Sequence, residues 1–287
     1  MKPGVESQTA VMVCMGRAAA HGTTPVTRFQ DPTAYALLPE EARRRVENFR
    51  LGQVPRGWTD RFRYEHLARE SMMMVARTVA IDEAVRGAPA PQLVILGAGL
   101  DGRAWRMAEL EHTVVFEVDH PDSQRQKRAR VAGLNQTAKE VRFVPVDFEH
   151  DDLDHALAAA GHDPTRPTAW IWEGVVMYLR LPEIEASLSV LQQRSAPSSR
   201  LVVAYHSPAL MLLLAALVLR RMGEPIRSAF TPERMRALLA RHGLQVLHDE
   251  ALPAIAATLS EDVGRATKIM KHLRIATADF PVKRILA

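Results

Sequence analysis

Leu93 to Met107 reads LVILGAGLDGRAWRM: four apolar residues run straight into Gly97, Gly99 and Gly102. This stretch constrains the fold more than any other in the chain. A short apolar run that stops at glycine, with a helix-forming stretch behind it, is the strand–loop–helix start of an α/β sheet. The spacing is G-x-G-x-x-G, which lets a backbone approach a nucleotide with no Cβ in the way. An acid about 20 residues further on completes the pattern. Here Asp119 lies 22 residues after Gly97. The loop alone leaves two occupants open, a dinucleotide and another adenosine-bearing cofactor.

The rest of the chain supplies the sheet. Apolar runs recur at TVVFEVD (113–119), VRFVPVDF (141–148), TAWIWEG (168–174) and RLVVAYHS (200–207), with GLQVLHDE (243–250) and RIATADF (274–280) as last strands. Helical stretches separate them at 103–111, 123–134, 153–160 and 182–195. Short apolar runs alternating with helices predict a parallel sheet covered on both faces. The first 90 residues read as helices, with Asp31-Pro32 as a cap followed by a helix-starting proline. GAPAPQ (87–92) is the linker. Residues 1–88 are therefore expected to form a helical lid or cap. Residues 89–287 are expected to form a Rossmann-like core, with a helical substrate insertion at about 207–231.

Composition narrows the function. The chain has 287 residues, 47% of them hydrophobic, and a formal charge of +4. That excess is too small and too scattered for a nucleic-acid stripe, so the arginines read as solvated faces. Cys14 is the only cysteine, which excludes a disulfide framework and fits the reducing cytoplasm. The longest apolar run, Ala209 to Leu219, is too short to span a ~30 Å hydrocarbon core as a helix. The apolar stretch Ala10 to Met15 is too short, and too closely flanked by Glu6 and Arg17, for a signal peptide. The 11 histidines form neither H-x-x-x-H nor H-E-x-x-H, so no metal site is expected.

Two further acids bear on the occupant. Asp147 ends the third strand in VPVDF, where a carboxylate can accept a hydrogen bond from an adenine amino group. Glu173 follows the fourth strand in WIWEGVVMYL, where a parallel sheet opens its crevice. With Asp119 they make an acidic rim. It suits a cofactor carrying ammonium and sulfonium and would repel a pyrophosphate. His206, after the fifth strand, is the one candidate base. Tyr178 and Tyr205 are expected in the pocket wall.

LGAGLDGRAWR, FEVDHP, VPVDF and WEGVVMYL, in that order and spacing, resemble the leucine carboxyl methyltransferase family, including its bacterial polyketide-associated O-methyltransferases. DPTAYALL and GEPIRSAFTPERMRALLARHGLQVL fit it too, so the resemblance runs from about Thr9 to about Leu247. It implies a class I methyltransferase sheet of seven strands with the last one antiparallel, and S-adenosyl-L-methionine as cofactor. It assigns Arg77 to the cofactor carboxylate, and the Gly97-Ala98-Gly99 turn to close approach. It puts Asp119, followed by His120, on the ribose and Asp147-Phe148 on the adenine. Glu173-Gly174 falls beyond the fourth strand. Gly102 departs from the family's usual Thr or Ser, which removes a hydroxyl and loosens the loop.

The expected reaction is methyl transfer to an oxygen, the carboxylate of a small hydrophobic acid of polyketide or aryl type. A carboxylate with pKa near 4 is already ionised at neutral pH and needs no base. His206 would matter only for a hydroxyl acceptor. Ser207 to Thr231, rich in Leu and Met with Arg220, Arg221 and Arg227, would form the acceptor pocket. The expected partner is that small acid alone, and the protein a monomer or homodimer. The alternatives are an NAD(P)-dependent oxidoreductase and a non-catalytic cofactor-binding protein of the same fold.

Overall fold

The computed structural model describes residues 7–210, 212 and 225–281. Four helices come first: α1 (Gln8–Ala20), α2 (Ala34–Leu37), α3 (Glu40–Arg50) and the long α4 (Trp58–Arg86). Then β1 (Gln92–Leu96), α5 (Arg103–Arg106), β2 (Val114–Asp119), α6 (Pro121–Val131), β3 (Glu140–Pro145), α7 (Leu153–Ala159) and β4 (Thr168–Trp172) alternate. They are followed by α8 (Leu181–Gln193), β5 (Arg200–His206), α9 (Pro232–Arg241) and β6 (Gln245–Ala251). Helices α10 (Leu252–Ala257) and α11 (Glu261–Thr267) lead into β7 (Leu273–Asp279).

The seven strands form one sheet in the order β3-β2-β1-β4-β5-β7-β6. All neighbours pair in parallel except β7, which runs antiparallel between β5 and β6. This is the Rossmann-like methyltransferase architecture. Chain order reverses between β1 and β4, where Leu96 pairs with both Val118 and Trp172. A parallel sheet opens a crevice at such a switch point, at the carboxyl ends of its strands.

Alternation along each strand sends residues to two cores. Ile95, Val115, Ile171, Val202 and Ala204 pack with Cys14, Val75 and Ile81 of the N-terminal helices and with Leu252 and Val263. Val94, Phe116, Trp170, Val203 and Tyr205 pack on the other face with Leu188 of α8 and Leu238 of α9. The N-terminal helices thus share a core with the sheet. Helix α1 approaches α4 closely at Gly16, where a Cβ would lie 2.7 Å from Met74 Cγ. Among the described residues no helix is long and apolar enough to cross a membrane.

Two expectations need correction or limits. The helix expected over 103–111 stops at Arg106; Met107 is extended and a 3-10 turn covers Ala108–Leu110. The Ala104 carbonyl, which a continuing helix would give to Ala108, instead accepts the N–H groups of Thr137 and Ala138 at 3.0 and 2.9 Å. Of the insertion expected at about 207–231, residues 211 and 213–224, with Arg220 and Arg221, lie outside the described residues. Its end is described: Arg227 and Ser228 N–H donate to Met177 O, and Phe230 N–H donates to His206 O.

His162 is buried between Phe116 and Trp170, with ring centroids 5.3 Å away on each side, and Nε2 lies 3.1 Å from Thr168 Oγ1. Burial, with Arg194 nearby, pushes its pKa from 6.5 down to about 4. Below about 6.5 the unfolded chain takes up a proton that folded His162 refuses until about 4. Stability is therefore full above 6.5 and falls as pH drops toward 4, by up to about 1.4 kcal/mol per pH unit for this residue. Urea unfolding at pH 7 and pH 4.5 should show that loss, and His162→Phe should make the pH dependence shallower.

Candidate cofactor and substrate cavity

A cavity of about 240 Å³ opens at the carboxyl ends of β1, β2 and β4. Gly97, Ala98 and Gly99 form its floor, with Asp119, Glu173, Gly174, Arg77 and Tyr178 around it. Ala10, Val13 and Arg17 of α1 make another part of the wall. The loop conformation explains the glycines. Gly97 and Gly99 have φ of +69° and +47°, a region that side chains disfavour. A Cβ on Gly97 would also sit 2.0 Å from Val175 Cγ2. The N–H groups of Gly97 and Ala98 both donate to Val118 O at 2.7 and 3.0 Å, which ties the loop to the tip of β2.

Asp119 is held from two sides. Its Oδ2 accepts the Gly99 N–H at 2.5 Å and its Oδ1 accepts the His120 N–H at 2.7 Å. Burial raises its pKa against those two donors. Asp119 also lines the cavity.

On the other side of the loop is a buried network of four guanidiniums and four carboxylates. Arg77 Nε donates to Glu173 Oε1 at 2.6 Å, and Arg103 Nη1 donates to Glu173 Oε2 at 3.1 Å. Arg103 also binds Asp101, and its Nε meets Asp82 Oδ1 at 2.8 Å. Arg106 grips both Asp82 oxygens at 2.7 and 3.0 Å and lies 3.7 Å from Asp31. Arg17 donates to Asp31 at 2.9 Å and to Leu100 O at 2.6 Å. Burial would raise the Glu173 pKa, but Arg77, Arg103 and Arg17 outweigh it and hold the carboxyl ionised.

Arg77, Gly97, Ala98, Gly99, Asp119, Glu173, Gly174 and Tyr178 thus meet at one cavity. Other candidates do not line it. Asp147 caps the turn after β3: its carboxylate accepts the Glu149 N–H at 3.0 Å and lies 3.0 Å from His150 Nδ1. Phe148 packs instead against the core on the α8–α9 side of the sheet. His120 N-caps α6 through its imidazole. Tyr205 was expected in the wall, but it is fully buried on the opposite face, with its hydroxyl donating to Asp249 Oδ2 at 2.8 Å. Period two along β5 puts it in phase with Leu201 and Val203, away from the crevice. His206 stands beside His272, ring centroids 5.6 Å apart, and its Nδ1 has no hydrogen-bond partner among the described residues. Burial, then His272 and Arg77, push its pKa down to about 3.

Sequence reading missed Arg17. It is the one charge in the otherwise apolar and small-residue run AVMVCMGRAAA, and an isolated charge there signals a buried partner. Asp31, Asp82, Asp101, Arg103 and Arg106 were missed as well. The loop expected to loosen at Gly102 is instead packed: Thr33 Oγ1 lies 2.1 Å from where a Gly102 Cβ would be. That hydroxyl donates to Asp31 Oδ1 at 2.8 Å. Among the described residues no group of three or more His, Cys, Asp or Glu could hold a metal ion.

The family model for leucine carboxyl methyltransferase matches residues 10–192. A Mycolicibacterium gilvum protein, assigned by name to the S-adenosyl-L-methionine-dependent methyltransferases, is 32% identical over 270 residues, covering 93% of this chain and 80% of that one. A Mycobacterium sp. KMS protein of the same name is 34% identical over 202 residues; the match spans 70% of this chain and 66% of that protein. The crystal structure of a DUF574 family protein from Streptomyces avermitilis superposes with a TM-score of 0.58 at 14% identity, covering 96% of this chain and 98% of that one. That likeness is one of fold.

The packing at Gly102 is testable by a double-mutant cycle. Gly102→Ser should destabilise the protein by about 1–3 kcal/mol through overpacking against Thr33. Thr33→Ala in the same chain should recover a large part of that loss, read from urea midpoints.

Proposed function

The chain belongs to the leucine carboxyl methyltransferase family, and on that footing we propose that it transfers the methyl group of S-adenosyl-L-methionine to the carboxylate of a small hydrophobic metabolite. The observation that carries the reading is the pair of acidic positions flanking the Gly97 loop. Asp119 follows β2 and Glu173 follows β4, with β1 between them. Two inter-strand spacings separate them, roughly 9–10 Å. That matches the distance from a ribose to the amino-acid end of the cofactor. The left-handed glycines at 97 and 99 leave the loop without side chains at the cavity, which supports a close backbone approach to a nucleoside.

In this reading Asp119 accepts hydrogen bonds from the ribose hydroxyls. Glu173, kept ionised, faces the ammonium, and Arg77 with Arg17 faces the cofactor carboxylate. Because the surrounding network is neutral, four against four, a zwitterionic amino-acid moiety joins it without unbalancing the charge. When bound, the cofactor supplies an electrophilic methyl on a sulfonium. The chain's part is to hold an acceptor in line with it and keep water out. The α1 residues Ala10 and Val13 give an apolar wall, and Arg227, ion-paired with Glu149, stands at the rim. The N-terminal helices act as the cap.

A carboxylate acceptor asks no proton transfer of the protein, and His206 is ill suited to one. An imidazole with pKa about 3 is a weak base at neutral pH. Family membership also sets aside the nicotinamide alternative.

Two measurements test this reading. Asp119→Ala should weaken S-adenosylhomocysteine binding by about 2–3 kcal/mol in calorimetric titration, the loss of charge-assisted hydrogen bonds; an unchanged affinity would contradict the ribose role. Turnover with a panel of hydrophobic acids in weakly buffered dye solution should release no proton per methyl transferred. One proton per turnover, with activity lost in His206→Ala, would point to a hydroxyl acceptor instead.

A further inference from the structure

Strand β5 outruns the strand beside it. Its pairing with β4 ends at Val203, opposite Trp172, and Ala204, Tyr205 and His206 continue along β7 alone. Three residues of strand span about 10 Å, so His206 stands that far beyond the last pair of β4, after which Glu173 follows. Val202 and Ala204 belong to the core shared with α4, and period two along β5 sends His206 to the same side. Arg77, which lines the cavity from α4, is close enough to help depress the His206 pKa. His206 therefore adjoins the nucleoside cavity from above the tip of β4, without lining it.

Two buried polar atoms at this strand end are unsatisfied. His206 Nδ1 and Ser207 Oγ are both shielded from solvent, and neither has a hydrogen-bond partner among the described residues. The backbone that carries them is fixed on both sides: His206 O accepts the Phe230 N–H at 2.9 Å, and the Ser207 N–H donates to His272 O at 2.6 Å. Buried polar atoms are normally paired, because leaving one unpaired costs its full desolvation. Two orphans on consecutive residues of a fixed backbone, beside a cavity, mark a place that a ligand completes.

We propose that His206 Nδ1–H and the Ser207 hydroxyl hold the carboxylate of the methyl acceptor. The assignment rests on the methyl-transfer reading of the cavity and adds an acceptor subsite to it. Burial keeps the imidazole neutral at pH 7, with its pKa down at about 3, so it donates a hydrogen bond and takes no proton from the acceptor. Neutral donors suit the chemistry. The fork of a guanidinium would take up both carboxylate oxygens, whereas single donors hold one oxygen and leave the other free to attack. That oxygen forms the bond to the methyl carbon. The sulfur–methyl bond breaks, its electron pair stays on sulfur, and no proton moves.

The probe is 2-naphthoate, titrated calorimetrically into the full chain saturated with S-adenosylhomocysteine, with methyl ester formation from S-adenosylmethionine measured separately. His206→Ala and Ser207→Ala should each weaken naphthoate binding about tenfold and raise its KM by a similar factor, as expected for a lost hydrogen bond to a charged group. S-adenosylhomocysteine affinity should stay within about twofold. His206→Asn, whose amide N–H can stand where Nδ1 stands, should recover most of the naphthoate affinity, which a packing role would not allow. Unchanged naphthoate affinity in both alanine variants, with ester still formed, would overturn the subsite and leave methyl transfer to the acid standing. Equal loss in His206→Ala and His206→Asn would overturn it too, reducing the histidine to packing. Neither ester nor naphthoate binding in the unaltered chain would overturn the carboxylate reading and the subsite with it.

Discussion

A guanidinium taken out of water is stable only beside a carboxylate, and this structure chains that requirement across the molecule. Arg17 of α1, Arg77 of α4 and Arg103 and Arg106 of α5 alternate with Asp31, Asp82, Asp101 and Glu173. The partners come from sequence positions up to 96 residues apart. Each charge is satisfied only when the N-terminal helices, the glycine loop and the tip of β4 are all in place. The network therefore does two jobs. It locks the helical N-terminus onto the sheet, and it presents ionised groups at the crevice without a net charge of its own.

The sheet was legible because its central strands are covered on both sides. LVIL and AWIW are unbroken apolar runs, and each stops at the loop that faces the crevice. The acids after them were legible for the same reason, since the end of a parallel strand has a fixed place. What was not legible depended on partners remote in sequence or on competition for one backbone group. Nothing local to Ala104 says that Thr137 and Ala138 will take its carbonyl. Nothing in VPVDF says that Asp147 will fold back on its own turn, although a following EHDD favours it. Tyr205 was within reach of the sequence: counting by two along β5 puts it with Leu201 and Val203, on the face away from α4.

The glycine at position 102 shows how a departure from a family pattern is absorbed. Read along the chain, it removes a side chain next to the loop. In three dimensions Thr33 fills the vacated space with a hydroxyl of its own, anchored to Asp31. The residue that compensates is 69 positions away, so only the fold connects the two.

Gly16 gives the same lesson a mechanical form. Its bare backbone sets the distance between α1 and α4, since a methyl there would meet Met74 and Glu70. The next residue is Arg17, whose guanidinium reaches the crevice wall, and α4 carries Arg77 to the same place. Position 16 therefore works as a spacer gauge: widening the gap between the helices would pull two cationic jaws apart at a remove from any ligand. Under the proposed function, the closeness of these two helices sets the spacing of the two guanidiniums that would meet the cofactor carboxylate.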